Sequence, residues 1–178
     1  MSLENDITQI KTIMETKDEF KDYEKLSPKE QIQKHIDQVT EFMNILSADI
    51  KERGKEHDAS KLSDKELPKW EEYVPNLAGK KYGTDEYKEA SKAMGDVIAI
   101  HHKANRHHPE YFGKEGIKGF NLVDLIELIC DWKAASLRTN GGDVIKSIKD
   151  NANRFGYDET LESILLNTAE LLKKDKEA

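Results

Sequence analysis

Apolar residues recur three or four positions apart almost from end to end of this chain, and no run of alternation is bounded by turn residues, so helices can bury a stripe here and strands cannot. The spacing predicts an all-α bundle of six or seven helices in one domain. A first helix within residues 3–22 is charged and weakly amphipathic. Ser27, Pro28 and Glu30 then supply an N-cap, a first-turn proline and a capping-box acid. The helix they open is expected to run to about Arg53, before Gly54, with Ile32, Ile36, Val39, Phe42, Met43, Leu46 and Ile50 on its buried face.

An irregular stretch follows, anchored by Leu62, Leu67, Trp70, Tyr73 and Val74 and punctuated by Pro75, Gly79 and Gly83. Thr84 or Asp85 can cap a helix reaching about Asn105, and His107 to Gly119 reads as a loop. Asn121 caps a helix that is apolar round most of its circumference and therefore belongs in the middle of the fold. Gly141 and Gly142 end it. Two further helices carry Ile145, Ile148, Ala152 and Phe155, then Leu161, Ile164, Leu165, Leu171 and Leu172. The expected domain has its core at about 27–140, with C-terminal helices in 143–175 packing on it.

Composition narrows the partners. A charged fraction of 35% and a net charge of -7 give a solvated surface without the basic stripe of a duplex-binding module, while leaving room for a nucleotide in a local cleft. The single cysteine, Cys130, excludes an intramolecular disulfide and reads as a buried thiol in a reducing compartment. No apolar stretch approaches the roughly 20 residues that span a bilayer, and the N-terminus lacks the blocks of a signal peptide. A cytoplasmic protein without membrane partners is expected.

The six histidines fall at four places: His35, His57, the pair His101 and His102, and the pair His107 and His108. His35 shares a helical stripe with Ile32, Val39 and Phe42, where a core histidine is the ordinary reading. His57 precedes Asp58 in KEHDASKL, and Asp58 is equally a plausible helix cap. His101 lies on its helix's apolar face with Met94 and Val97, Asn105 follows one turn later, and His102 sits at the face's edge. Between His107 and His108 periodicity does not decide. Asp131 shares a stripe with Asp124, Glu127 and Arg138, either a solvated face or one turned toward an internal cleft.

In its order of His35, then His57-Asp58, then Asp131, the chain resembles the HD superfamily of metal-dependent phosphohydrolases over about residues 30 to 140. HDASKL is similar to the version of the motif in which a lysine, here Lys61, contacts the substrate phosphate. HHKANRHHPEYF and NLVDLIELICDWKAASLR are similar to a bacterial and phage branch of HD-like proteins. The resemblance implies His35, His57, Asp58 and Asp131 as core ligands; on the helical stripe Asp124 is the fallback for Asp131, and if His101 and His107 bind a second ion, Asp58 is the natural bridge.

Imidazole and carboxylate donors suit one or two divalent ions among Mn, Fe, Zn, Co, Ni and Mg. The expected chemistry is hydrolysis of a phosphomonoester or phosphodiester, in a nucleotide or other small phosphorylated molecule, by a metal-activated water. Asp58, Lys61 and Arg138 are the expected catalytic groups, and Lys61, Asn105, Arg106 and His108 the expected substrate contacts. The alternatives are a non-catalytic, metal-stabilised phage or plasmid accessory protein and a di-iron oxygenase of the HD type.

Overall fold

The structure, a computed structural model, describes residues 23, 25–77, 80, 84–92, 94–138 and 141–173, with the backbone alone at 77, 88 and 91. The helix expected within 3–22 lies outside the described residues. Among the described residues there are seven α-helices and no strand, as the spacing predicts. They are α1 (Pro28–Glu56), α2 (Leu67–Leu77), α3 (Asp85–Lys92), α4 (Gly95–Ala104), α5 (Leu122–Leu137), α6 (Val144–Phe155) and α7 (Glu159–Leu171). Short 3-10 turns occupy Ala59–Leu62, Pro109–Phe112 and Gly116–Gly119. No described helix is long and apolar enough to cross a membrane. The chain divides into two units, Met1–Ser47 and Ala48–Ala178.

In the first unit the expected capping box is in place: Ser27 N donates to Glu30 Oε2 at 2.8 Å, and Glu30 N to Ser27 Oγ at 3.4 Å. The apolar stripe behind it is not a buried face. Ile32 is 63% exposed and Met43 65%, and Ile36, Val39, Phe42 and Leu46 are exposed as well. A 3.6-residue period says which side chains share a face, and says nothing about whether another element covers it.

In the second unit α1 runs through Gly54 to Glu56 instead of stopping before it. A glycine inside a helix costs only about 1 kcal/mol against alanine, too little to end a helix of this length. The true stop is Asp58, at φ 57° and ψ 10°, the one non-glycine residue with positive φ among the described residues. Where an irregular stretch was expected, Leu67, Trp70 and Val74 share one side of a helix, α2. Pro75 falls in its last turn, and the helix closes two residues later. The single helix expected to reach Asn105 is two, α3 and α4. Met94, only 1% exposed, plugs the junction, and its carbonyl accepts from Val97 N at 2.9 Å and so starts α4. The loop 107–119 holds two 3-10 turns, with Gly119 so close to the Phe112 ring that a Cβ there would meet Cδ1 at 2.5 Å.

Helix α5 is capped by a reciprocal Asn121–Asp124 box, and Asp143 and Asp158 cap α6 and α7. Its Leu128 and Ile129 meet Val144 and Ile148 of α6 and Leu165 and Ala169 of α7 in the main buried cluster, joined by Ile117 and Tyr157. Trp132 stacks on Phe155, with ring centroids 6.2 Å apart. Truncating Leu128, 1% exposed, would cost on the order of 2–5 kcal/mol. With Leu128 and Ile129 taking the core direction, Cys130 is turned outward and is exposed, contrary to the buried thiol expected.

Candidate metal centre

The side of α5 flanking Leu128 carries Asp124, Glu127 and Asp131 at intervals of three and four, which puts all three carboxylates on one face. Asp124 is completely buried. It accepts from Arg53 Nη1 at 3.0 Å, from Arg106 Nε at 3.0 Å and Nη2 at 2.9 Å, and from Asn121 N at 3.0 Å. Burial alone would raise its pKa, but Arg106, the Asn121 amide and Arg53 outweigh it and hold the carboxyl below its ordinary value. Its oxygens are used up by these donors, so Asp124 is not a reserve ligand. For the same reason Arg106, expected to face a phosphate, is engaged with Asp124.

Glu127, one turn on, organises two imidazoles. Its Oε1 lies 2.8 Å from His57 Nδ1 and 3.0 Å from His107 Nδ1, while Arg53 Nη2 donates to Oε2. A carboxylate on Nδ1 fixes the tautomer and sends the Nε2 lone pair the other way, an arrangement that metal-binding histidines use. His57 Nε2 then lies 3.5 Å from Asp58 Oδ2 and 3.6 Å from Asp131 Oδ1, and His107 Nε2 lies 3.5 Å from Asp58 Oδ1. Asp131 and Glu127 push the His57 imidazole up to about 10. Burial would lower His107, but Asp58 and Glu127 reverse that and raise it.

His101, 1% exposed on α4, is the inward member of its pair, as its position on the apolar face predicts. Its Nδ1 has Ser60 Oγ at 3.2 Å, Asn105 Nδ2 at 3.1 Å and the buried Glu66 Oε2 at 3.3 Å. Its Nε2 is 2.9 Å from Asp58 Oδ1. Glu66, missed in the sequence, also accepts from Trp70 Nε1 at 3.2 Å. Its only sequence signal is a position three residues ahead of Lys69 and four ahead of Trp70, at the start of α2.

Four atoms, Asp58 Oδ1, His101 Nε2, His107 Nε2 and His108 Nε2, are buried and make no hydrogen bond. One ligand atom from each of these residues lies within 4.8 Å of the others, and the same holds for His57, His107 and Asp131. Asp58 Oδ1 pairs by charge with His101 and His107 but hydrogen-bonds to neither, and buried polar atoms almost always find a hydrogen bond, so the group could hold a metal ion. Burial, then the imidazoles of His107, His102 and His101, push His108 down to about 2, leaving that ring neutral and able to ligate. Burial raises Asp58, but His101, His107 and Lys61 together hold it well below the carboxylate range. The left-handed backbone that aims Asp58 here stores roughly 1 kcal/mol or more.

Of the residues singled out in the sequence, the fold brings together His57, Asp58, Lys61, His101, Asn105, His107, His108 and Asp131. Lys61 donates to Asp58 Oδ2, and its ammonium lies 4.7 Å from the centre of the Trp70 ring. Two are not brought in. His35 is exposed, in the first unit, and belongs to no metal-capable group among the described residues. Arg138 is the exposed C-cap of α5, two turns past Asp131. Helical spacing put Arg138 on the right stripe but could not show that the stripe outruns the cleft.

Two clefts border the group. One of about 200 Å³ is polar, with Arg53, Asp58, Asn105, Arg106 and His107 in its wall. The other, about 270 Å³, is mostly apolar, walled by Ile50, Val123, Ile126 and Cys130, with His57 and Asp131 at its edge.

Fold and site together define an all-α protein with a cluster of histidines and carboxylates that could hold a metal ion. The chain belongs to DUF5662, a family of unknown function, whose profile matches residues 24–176. No curated protein and no solved structure matches it.

Proposed function

We propose that the protein is a metal-dependent phosphohydrolase, a phosphomonoesterase or phosphodiesterase acting in the cytoplasm on a nucleotide or other small phosphorylated molecule. The observation that carries this reading is the set of buried atoms on Asp58, His101 and His107 that face one another without a hydrogen bond. Nitrogen and carboxylate oxygen donors match Mn, Fe, Co, Ni or Zn, and a carboxylate-rich edge at Asp58 and Asp131 also tolerates Mg. His57, Asp58 and Asp131 with His101 and His107 provide donors for one or two ions. The resemblance to the HD superfamily supports the reading at His57, Asp58 and Asp131, while His35, which it also implies, is not among the donors.

When bound, a divalent ion supplies Lewis acidity toward a phosphoryl oxygen and lowers the pKa of water toward neutrality. The chain's own groups do the rest. Glu127 holds the His57 and His107 rings in register, and Glu66 and Ser60 hold His101. Arg53 and Arg106 stand in the wall of the polar cleft beside Asp58 but are paired with Asp124 and Glu127, so a bound ion would supply the positive charge that draws an anionic substrate in. Lys61, beside Asp58, is placed to exchange that carboxylate for a phosphoryl oxygen and to neutralise charge gained in the transition state.

The test is phosphate release by the full chain, loaded with Mn, Co, Ni or Zn, from a panel of nucleotides, sugar phosphates and phosphodiesters. Turnover that disappears with chelator and in Asp58→Ala is expected. Lys61→Ala should keep its metal yet lose affinity for inorganic phosphate. Full metal occupancy without turnover on any substrate would overturn the hydrolase and favour the accessory binding protein. Oxygen consumption by the iron-loaded form would point to the oxygenase.

A further inference from the structure

Beyond the centre around Asp58, the same two histidine pairs build a second group. His102 packs against His108 in a tilted pair, with ring centroids 4.1 Å apart and planes at 31°. Glu110, in the Pro109–Phe112 turn, has Oε1 3.6 Å from His102 Nδ1, and that oxygen accepts from Arg154 Nη2 of α6 at 2.9 Å. Its other oxygen, Oε2, is buried without a hydrogen-bond partner, and so is Nε2 of His108. One ligand atom from each of His102, His108 and Glu110 lies within 4.8 Å of the others.

An ion-pair network of His102, Glu110 and Arg154 accounts for Oε1 and leaves these two atoms unexplained. A buried acceptor left unmatched is costly, and ligand atoms of these three residues lie close enough together to share one cation. The backbone holds the three residues ready. Pro109 is buried at the head of the turn, and Tyr111 N donates to His108 O at 3.0 Å, which fixes the backbone between His108 and Glu110.

We propose that His102, His108 and Glu110 form a second divalent transition-metal site, separate from the centre around Asp58, with Arg154 orienting the Glu110 carboxylate. Two imidazoles and a carboxylate are the donor set of zinc, cobalt and nickel sites that keep an exchangeable fourth position. The ion would clamp the end of α4 to the Pro109 turn. His108 belongs to both groups, and its use here leaves the centre with His57, Asp58, His101, His107 and Asp131.

The experiment is zinc uptake by the full chain, measured by equilibrium dialysis and elemental analysis, with cobalt absorption as a second readout. His102→Ala and Glu110→Gln should each bind one zinc fewer than the unsubstituted chain and lose the same cobalt band. Asp58→Ala should keep that band, whatever happens at the centre. Arg154→Ala, which leaves all three ligands, should weaken this site about tenfold, the scale expected when a partner of a ligand is removed. Circular dichroism checks that each variant is folded, and Arg154→Ala serves if the others are not. Unchanged zinc uptake in both His102→Ala and Glu110→Gln would leave an ion-pair network only and overturn the proposal. Loss of all zinc in a folded Asp58→Ala would overturn it too.

Discussion

Asp58 Oδ1 lies 2.9 Å from Nε2 of His101, yet the two atoms make no hydrogen bond, and both are buried. The two are paired by charge alone, and with His107 and His108 they could hold a metal ion. The first prediction follows. Asp58→Ala and His101→Ala should each abolish metal uptake at the centre, whereas His35→Ala should retain it. Elemental analysis of the purified variants checks this. Loss of metal in His35→Ala would restore the ligand set that the HD resemblance implies.

Glu127 touches no proposed ion and still governs two of the rings that would. Glu127→Gln keeps the size and removes the charge that pins both Nδ1–H groups, so metal affinity should fall by roughly 10- to 100-fold with the fold intact. A calorimetric titration gives the number. An affinity equal to that of the unsubstituted chain would mean that the rings are held by packing alone.

Proton competition sets the pH dependence. Without metal, His57 titrates at about 10, so near pH 7 it carries a proton that an incoming ion must displace. Metal affinity should therefore rise as pH rises from 5.5 to 8, with proton release seen as a buffer-dependent binding enthalpy. The metal-dependent gain in melting temperature should shrink over the same range as pH falls. A buffer-independent enthalpy at pH 7 would contradict the role of His57.

Asp124 tests stability apart from metal. It is buried against Arg53 and Arg106, and removing one partner of such a set strands the others, so Asp124→Ala should cost about 3 kcal/mol or more. Its folded pKa is depressed, so its contribution is present above the unfolded value of about 4 and is lost as pH falls below it. Chemical denaturation at pH 7 and pH 3 should show the variant's deficit narrowing at the lower pH. A constant deficit would assign the cost to the lost Asn121 cap.

Much of the candidate site was legible before the fold was known. His101 was picked as the inward member of its pair because it shares a face with Met94 and Val97, and periodicity reports directly which way a helical side chain points. The polar stripe of Asp124, Glu127 and Asp131 was visible for the same reason. What each carboxylate does there was not: Asp124 meets two arginines, Glu127 meets two histidines, and Asp131 lies beside His57. These partners come from chain segments up to 74 residues away, and no local pattern encodes them. Glu66 was missed because one acid among many in a charged stretch carries no signal until His101 lies beside it.

The sequence by itself determined that this chain is helical, where α1, α3 and α5 start, and that its histidines gather at a few points, because capping, period and spacing are properties of neighbouring residues. Only the tertiary structure decided which histidines share a centre. His35 sits on as regular an apolar stripe as His101, yet Ile36 beside it is 50% exposed while His101 is 1% exposed. The difference is burial, which depends on what other parts of the chain bring against a face.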